Sequence, residues 1–155
     1  MRATDSAPRL RNRTMTSSSP YATNVLVVDD VPFVRDSTAA VLSDEFAVVS
    51  AACAEEALLV MARTPIDVVC ADLVMPGMGG LELLRRVGTM PGHIGRILVT
   101  GYSDFLDRQG GGRAESVYVL IKPYQPEQLC KVVQRAWRFT QLRRESSAVR
   151  RQAGQ

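Results

Sequence analysis

The chain has 155 residues, of which 46% are apolar and 23% are charged, the balance of a single globular domain with a proper core. No apolar run approaches the ~20 residues of a membrane span, and the first residues lack the apolar segment of a secretory signal. We therefore expect a cytoplasmic protein that does not enter the membrane. Cys53, Cys70 and Cys130 lie in apolar surroundings without metal-type spacing, which predicts three buried thiols in a reducing compartment.

The net charge of +3 is distributed unevenly along the chain. Residues 1–23 carry four arginines against one aspartate, and residues 127–155 carry seven Lys/Arg against two Glu. The intervening residues carry eight Lys/Arg against thirteen Asp/Glu, so an acidic body lies between basic ends. The first 23 residues show no apolar periodicity and are predicted to be a disordered extension; residues 143–155 are predicted to be a basic polar tail.

Between these ends, strands and helices alternate. Short apolar runs predict strands at residues 25–28, 46–51, 66–71, 94–99 and 117–121. Apolar residues at helical spacing follow the first three strands and, most clearly, the last one, where a helix begins at Pro126. A weaker helical stretch after the fourth strand begins near Ser103 and contains three glycines at 110–112. This alternation predicts an α/β fold, a doubly wound parallel sheet with helices on both faces.

The predicted strands end in side chains that can take part in chemistry. Asp29 and Asp30 follow the first strand, Asp72 the third, Thr100 the fourth and Lys122 the fifth. The carboxyl ends of parallel strands meet at one edge, so these residues are expected to converge. Three adjacent carboxylates repel one another, and Mg²⁺ relieves such repulsion, while ammonium and hydroxyl groups suit phosphate oxygens. The set predicts a carboxylate that accepts a phosphoryl group with the help of Mg²⁺.

These motifs resemble the receiver domain of two-component response regulators. The matching segments are Val27-Val28-Asp29-Asp30, Asp72 followed by Met75-Pro76-Gly77, Thr100-Gly101 and Lys122-Pro123. The resemblance covers about residues 24–142. It implies a flavodoxin-like five-stranded sheet of order 2-1-3-4-5 in a stand-alone receiver.

The resemblance also implies roles for individual residues. Asp72 would be the phosphoacceptor and Asp30 a direct Mg²⁺ ligand; Asp29 would act mostly through a metal-bound water, and the main-chain carbonyl of Val74 would complete the metal site. Phosphoryl contacts would come from Thr100, Lys122 and the amides of Leu73 and Gly101. The partners would be a histidine kinase or histidine phosphotransfer protein and a downstream protein target. The only catalysis expected is that of its own phosphorylation and dephosphorylation.

Two positions depart from the family pattern. Receivers often carry an aromatic residue three positions before the lysine, and here that position is Val119. The neighbouring Tyr118 is expected to face the other side of the strand, so it should not act as a substitute. The glycine triplet weakens the predicted fourth helix by ~3 kcal/mol relative to alanine. That helix, the fifth strand and the fifth helix form the predicted output and homodimer face.

Other interpretations fit parts of the chain. An aspartate-nucleophile phosphatase of the haloacid dehalogenase type needs D-x-D after its first strand, which Asp29-Asp30-Val31 does not provide. The chain could be the receiver fragment of a longer regulator or hybrid kinase. Its basic tail could bind an acidic partner or nucleic acid, although too little chain follows Lys122 for a helix-turn-helix domain. His93 is predicted to be a surface loop residue and Trp137 a core residue.

Overall fold

The computed structural model describes residues 23–101 and 117–154. Within them lie five strands and four helices. In chain order these are β1 (Asn24–Val28), α1 (Pro32–Leu42), β2 (Ala47–Ala51), α2 (Ala54–Arg63), β3 (Val68–Asp72), α3 (Gly80–Gly88), β4 (Gly95–Thr100), β5 (Val117–Ile121) and α4 (Pro126–Ala153), the C-terminal helix. The predicted N-terminal extension up to residue 22, the helical stretch from Ser103 and the glycine triplet lie outside the described residues.

The strands form one parallel sheet of order β2-β1-β3-β4-β5, which confirms the predicted topology. β5 coincides with its predicted limits, and the other four strands begin or end one or two residues away from theirs. The difference is largest at β3, which begins at Val68 rather than Ile66, because neighbouring strands determine where pairing begins. Asp67 lies just before this pairing, and its N–H donates to the carbonyl of Asn24 at 2.9 Å.

The central strands are buried on both faces, as expected for a sheet covered by helices on each side. Leu26, Val69 and Leu98 belong to the core cluster that includes α2 and α3 residues. Val25, Val68 and Ile97 belong to the opposite cluster, with residues of α1 and the C-terminal helix. Successive residues of these strands point alternately into the two clusters, which is why the strands appear in the sequence as continuous apolar runs.

Strand alternation also separates Tyr118 from Val119. Tyr118 packs against the core cluster on the side of α1 and the C-terminal helix, and Val119 packs against the cluster on the side of α2 and α3. The predicted opposite orientation of these two side chains is confirmed. Tyr118 therefore does not occupy the position of the missing aromatic residue.

The prediction of three buried thiols is correct only for Cys70, which is 2% exposed. Burial, with a smaller contribution from the charge of Asp29, raises the pKa of this thiol to about 12, so it stays protonated at neutral pH. Cys53 and Cys130 are half-buried. The sulfur of Cys53 accepts a hydrogen bond from the N–H of Glu56 at the start of α2, a position at which the side chain must face the helix end.

The C-terminal helix continues to Ala153, so residues 143–153 are helical and do not form the predicted separate tail. No proline or glycine interrupts the chain between Pro126 and Gly154. Arg144 also anchors this part: its guanidinium donates to Asp67 Oδ1 at 3.1 Å and to the carbonyl of His93 at 3.0 Å, and lies 5.5 Å from the centre of the Trp137 ring.

His93 and Trp137 both belong to this junction between body and helix. His93 lies in the loop before β4, as predicted, and is half-buried there, with its Nε2 atom 3.0 Å from Ser147 Oγ. Trp137 is partly buried against the core cluster beneath the helix, in keeping with its prediction. Across residues 23–101 and 117–154, no helix is both long and apolar enough to cross a bilayer.

Candidate functional site

Three carboxylates lie together at the carboxyl edge of the sheet. Asp29 and Asp30 follow β1, and Asp72 is the last residue of the adjacent β3. One oxygen of each carboxylate lies within 4.8 Å of the others. Asp29 is buried, with 6% of its surface exposed, so part of this negative charge is held away from solvent. The convergence predicted for these acids is present.

Lys122 follows β5 and extends its side chain across β4 to the acids. Its Nζ atom lies 3.0 Å from Asp72 Oδ1 and 4.0 Å from Asp29 Oδ2. Its backbone N–H donates to the carbonyl of Thr100 at 2.8 Å, which places the buried Thr100 at the same edge. The lysine thus contacts the carboxylate that was predicted to be the phosphoacceptor.

Local hydrogen bonds hold the loop after β1 in place. Asp29 Oδ1 accepts from the N–H of Val31 at 2.9 Å, a turn that an aspartate forms with the amide two residues later. Arg35 Nη1 donates to the main-chain carbonyl of Asp29 at 2.8 Å. Sequence reasoning did not find Arg35, although its position one turn into α1 places it near the start of that helix.

Tyr124 is a second residue that sequence reasoning missed. Its hydroxyl lies 3.3 Å from Thr38 Oγ1, a contact between the segment that follows Lys122 and helix α1. Because these residues are 86 positions apart, no local pattern could indicate the pair. The contact joins the lysine-bearing loop to the helix that begins beside the acids.

The loop after Asp72 returns closely onto the end of β3. The N–H of Gly80, at the start of α3, donates to the carbonyl of Leu73 at 3.1 Å. A Cβ atom at Gly80 would lie 1.9 Å from the carbonyl oxygen of Asp72, so only glycine fits between this helix and the strand. The start of α3 thus packs directly against the main-chain carbonyl of Asp72.

The backbone N–H of Leu73, which was predicted to contact the phosphoryl group, is already hydrogen-bonded within the sheet. This N–H donates to the carbonyl of Val99 at 2.9 Å and is therefore used by the sheet. β3 and β4 still pair at this point, since Asp72 is the register partner of Val99. Gly101 is exposed just beyond β4, and the roles of its amide and of the Val74 carbonyl stay predictions.

The charges at this edge shift the pKa of two groups. Burial raises the pKa of Asp29, and the negative charges of Asp72 and Asp30 add to the effect, while the Val31 hydrogen bond and Lys122 oppose it. Burial alone would lower the pKa of Lys122, but its hydrogen bond to Asp72 and the charges of Asp72 and Asp29 outweigh burial and raise it. The lysine stays charged, yet one ammonium faces three carboxylates.

This donor set suits Mg²⁺. The ion prefers oxygen ligands, usually one or two carboxylates completed by water and phosphate oxygens, and three carboxylates face a single lysine here. The carboxylates that would hold the ion are those of Asp29, Asp30 and Asp72. An ion there would leave coordination positions for a phosphoryl group.

Replacing Asp29 by Asn is expected to raise the melting temperature by a few degrees at pH 7 without Mg²⁺. A folded-state pKa above the unfolded value means that the ionised carboxylate destabilises the folded protein, and this penalty disappears as the pH falls through the folded pKa. The amide oxygen can still accept from Val31. The stability difference between wild type and variant should therefore narrow in acid, as thermal unfolding between pH 4 and 8 would show.

Addition of Mg²⁺ should stabilise the wild type more than this variant, because binding to the folded state raises its stability. The matched control is Asp36→Asn, on the exposed part of α1. It should change neither the melting temperature nor the stabilisation by Mg²⁺. A lower melting temperature for Asp29→Asn at pH 7 without the ion would show that the buried Asp29 carboxylate does not destabilise the folded protein.

Comparisons with known proteins agree with this geometry. Residues 25–134 match the response regulator receiver domain family. The chain is 35% identical over 113 residues to the hydrogenase transcriptional regulatory protein HoxA of Cupriavidus necator, covering 72% of this chain and 23% of HoxA. It is 38% identical over 114 residues to an uncharacterized 14.6 kDa protein of Leptolyngbya boryana, covering 72% of this chain and 87% of that protein.

Solved structures show the same fold. A response regulator receiver domain protein from Clostridium thermocellum superposes with a TM-score of 0.69 at 25% identity, covering 77% of this chain and 98% of that one. The chemotaxis protein CheY4 of Vibrio cholerae superposes with a TM-score of 0.63 at 30% identity, covering 74% and 98%. The family match takes in the acids, Thr100 and Lys122, and the chain belongs to the response regulator receiver domain family.

Proposed function

We propose that this receiver takes a phosphoryl group on Asp72 from the phosphohistidine of a histidine kinase or phosphotransfer protein, with Mg²⁺ present. The observation that carries this proposal is the 3.0 Å contact between Lys122 Nζ and Asp72 Oδ1 inside a cluster of three carboxylates. A structural ion pair would need only one acid for one lysine. A cation bound at the cluster would offset the cost of holding the Asp29 carboxylate ionised in a buried position beside two other acids.

In the proposed transfer, a carboxylate oxygen of Asp72 attacks the phosphorus atom of the donor. An O–P bond forms and the P–N bond breaks with its electrons on the imidazole nitrogen, while a proton on the ring keeps the leaving imidazole neutral. Lys122 orients the Asp72 carboxylate beforehand and then faces the added negative charge. Bound Mg²⁺ would supply charge neutralisation for the phosphoryl oxygens and the acids.

The output of the phosphorylated form is proposed to be a change in protein contacts. Val119 occupies the position at which receivers often have an aromatic residue, and its side chain packs on the side of α2 and α3. If Thr100 moves on phosphorylation, no aromatic side chain at this position can move with it. We propose that the downstream target, or a second copy of the chain, binds the predicted face of fourth helix, fifth strand and fifth helix. The chain spans 23% of the length of HoxA.

The first experiment is to incubate the chain with acetyl phosphate, with Mg²⁺ or with EDTA, and to measure its intact mass. We expect a gain of one phosphoryl group that requires the ion. Borohydride reduction of an acyl phosphate converts the aspartate to homoserine, so peptide mass spectrometry would then identify the residue. A gain that is independent of Mg²⁺, or homoserine at a position other than 72, would refute the proposal.

Substituting Val74→Asn is expected to speed loss of the phosphoryl group roughly tenfold, about 1.4 kcal/mol in the barrier. Hydrolysis needs a water aligned with the phosphorus and the Asp72 oxygen, and Val74, two residues beyond, cannot hydrogen-bond through its side chain. It is 59% exposed, so an amide can be accommodated. The phosphorylated fraction would be followed by intact mass after removal of the donor.

A suitable control is Val74→Leu, which keeps the position apolar and should leave the lifetime near that of the wild type. The proposed mechanism of water exclusion would be wrong if Val74→Asn and Val74→Leu lost the phosphoryl group at equal rates. The sequence also predicts an influence on the lifetime for Tyr102, a bulky residue two positions after Thr100, which lies outside the described residues.

A further inference from the structure

Helix α1 contacts both of the loops that supply the acids and the lysine. Near its start, Arg35 Nη1 donates to the main-chain carbonyl of Asp29 at 2.8 Å. One turn later, Thr38 Oγ1 lies 3.3 Å from the hydroxyl of Tyr124, which follows Lys122 by two residues. Because Arg35 and Thr38 are three positions apart, they lie on the same face of the helix. A single helix face therefore meets both loops.

The Arg35 contact holds the peptide unit between two of the acids. The carbonyl of Asp29 belongs to the peptide that leads to Asp30, and Asp29 Oδ1 accepts from the N–H of Val31 at 2.9 Å. The turn is thus fixed from outside by the guanidinium and from within by the Asp29 side chain. Arg35 is half-buried, so its donors are directed at this carbonyl with limited competition from water. Without them, the direction in which Asp30 presents its carboxylate is less restricted.

The segment that carries the lysine is held at two points. The backbone N–H of Lys122 donates to the carbonyl of Thr100 at 2.8 Å, which fixes its start against β4. Pro123 follows and has no N–H to donate. The hydroxyl contact between Tyr124 and Thr38 then joins the segment to α1. The Lys122 backbone is therefore fixed between β4 and α1.

This hydroxyl pair lies next to the reacting groups. Thr38 and Tyr124 line the same small hollow as Asp29, Asp72 and Lys122. Thr38 is 8% exposed, and a buried hydroxyl that loses its partner costs free energy. The pair therefore favours one position of the lysine-bearing segment relative to the acids.

We propose that α1 positions the two halves of the site separately. Arg35 positions the metal ligands through the peptide between Asp29 and Asp30, and Thr38 positions Lys122 through Tyr124. The lysine half rests on the proposed function, whereas the metal half is testable without phosphoryl transfer. Changes at Arg35 should therefore alter the affinity for Mg²⁺, and changes at the hydroxyl pair should alter the rate of phosphorylation once Mg²⁺ is saturating.

Arg35→Gln is expected to weaken Mg²⁺ binding about tenfold, the lower end of the effect of groups that orient metal ligands. Titration calorimetry with MgCl₂ and no phosphoryl donor measures this affinity. Electrostatics alone predicts the opposite direction, because the variant removes a positive charge beside a cation site. Arg135→Gln removes the same charge from an exposed position on the C-terminal helix and should leave the affinity unchanged. Unchanged or tighter binding by Arg35→Gln would overturn its role.

Tyr124→Phe is expected to slow phosphorylation by acetyl phosphate roughly fivefold at saturating Mg²⁺, since a displacement of ~1 Å can cost ~100-fold. Thr38→Val should do the same, and both should keep the wild-type affinity for Mg²⁺. The double variant should be no slower than either single one, because the effect passes through one contact. Thr140→Val removes a buried hydroxyl of the C-terminal helix and should keep the wild-type rate. Melting curves verify that each variant is folded.

The possible outcomes separate this inference from the proposed function. A wild-type rate for Tyr124→Phe, or additive effects of Tyr124→Phe and Thr38→Val, would overturn the role of the hydroxyl pair. Slow phosphorylation of Arg35→Gln at saturating Mg²⁺ would overturn the separation of the two halves. A wild type that gains no phosphoryl group on Asp72 would refute the proposed function and the lysine half with it, while calorimetry would still decide the role of Arg35.

Discussion

Asp72→Asn is expected to abolish phosphorylation by acetyl phosphate, because a carboxamide lacks the anionic oxygen that attacks phosphorus. Wild type and variant would be incubated with donor and Mg²⁺ and compared by intact mass. The fold should survive, since the change removes one of three crowded carboxylates and an amide oxygen can still accept from Lys122. A melting temperature at or above that of the wild type is therefore expected.

The matched control for this experiment is Asp30→Asn, which removes the same charge from the same cluster but keeps the phosphoacceptor. We expect it to need a much higher Mg²⁺ concentration, because a neutral amide is a poorer ligand than a carboxylate. Its phosphorylation should therefore recover as Mg²⁺ is raised, whereas that of Asp72→Asn should not. An equal gain of mass in Asp72→Asn and wild type would show that another residue accepts the phosphoryl group.

Gly80→Ala is expected to lower the free energy of unfolding by about 2–4 kcal/mol. Alanine is intrinsically better than glycine in a helix by ~1 kcal/mol, so propensity alone predicts stabilisation. The added Cβ would lie 1.9 Å from the Asp72 oxygen and 2.8 Å from its carbon, and these are backbone atoms that cannot rotate away. Either α3 or the end of β3 must shift, and this clash exceeds the gain in propensity.

Chemical denaturation would measure this effect, with Gly101→Ala as control. A Cβ at Gly101 meets nothing within 4 Å, so that change should alter stability little. Gly80→Ala should also slow phosphorylation, because the strand end that carries Asp72 is displaced. If Gly80→Ala proved more stable than the wild type, the close approach between α3 and β3 would be refuted.

Much of the site could be predicted because its residues stand at positions that local patterns identify. Each follows or ends an apolar run, and parallel strands bring such positions to one edge whatever their distance along the chain. The order of the strands could not be predicted from local patterns, since alternation of strands and helices alone is compatible with several orders. That part of the prediction depended on the resemblance to receivers at Asp29, Asp72 and Lys122.

Local patterns failed where a partner distant in the sequence determines the outcome. The backbone N–H of Leu73 is available to a ligand only if β4 leaves it unpaired. In the structure it donates to the carbonyl of Val99. Cys53 and Cys70 both lie in apolar surroundings in the sequence, yet only one lies in a strand covered on both faces. Neither difference is visible in the residues adjacent to these positions.

The alternation of apolar runs and the acids and lysine that end them are properties of the linear chain. The direction and length of the last helix depend on tertiary contacts. Arg144 meets Asp67 across 77 positions, and this pairing holds the helix as it passes the edge of the sheet. The same contact faces one side of the helix toward the body and leaves Leu142 and Val149 in solvent, because a helix that is held along one side must expose the other.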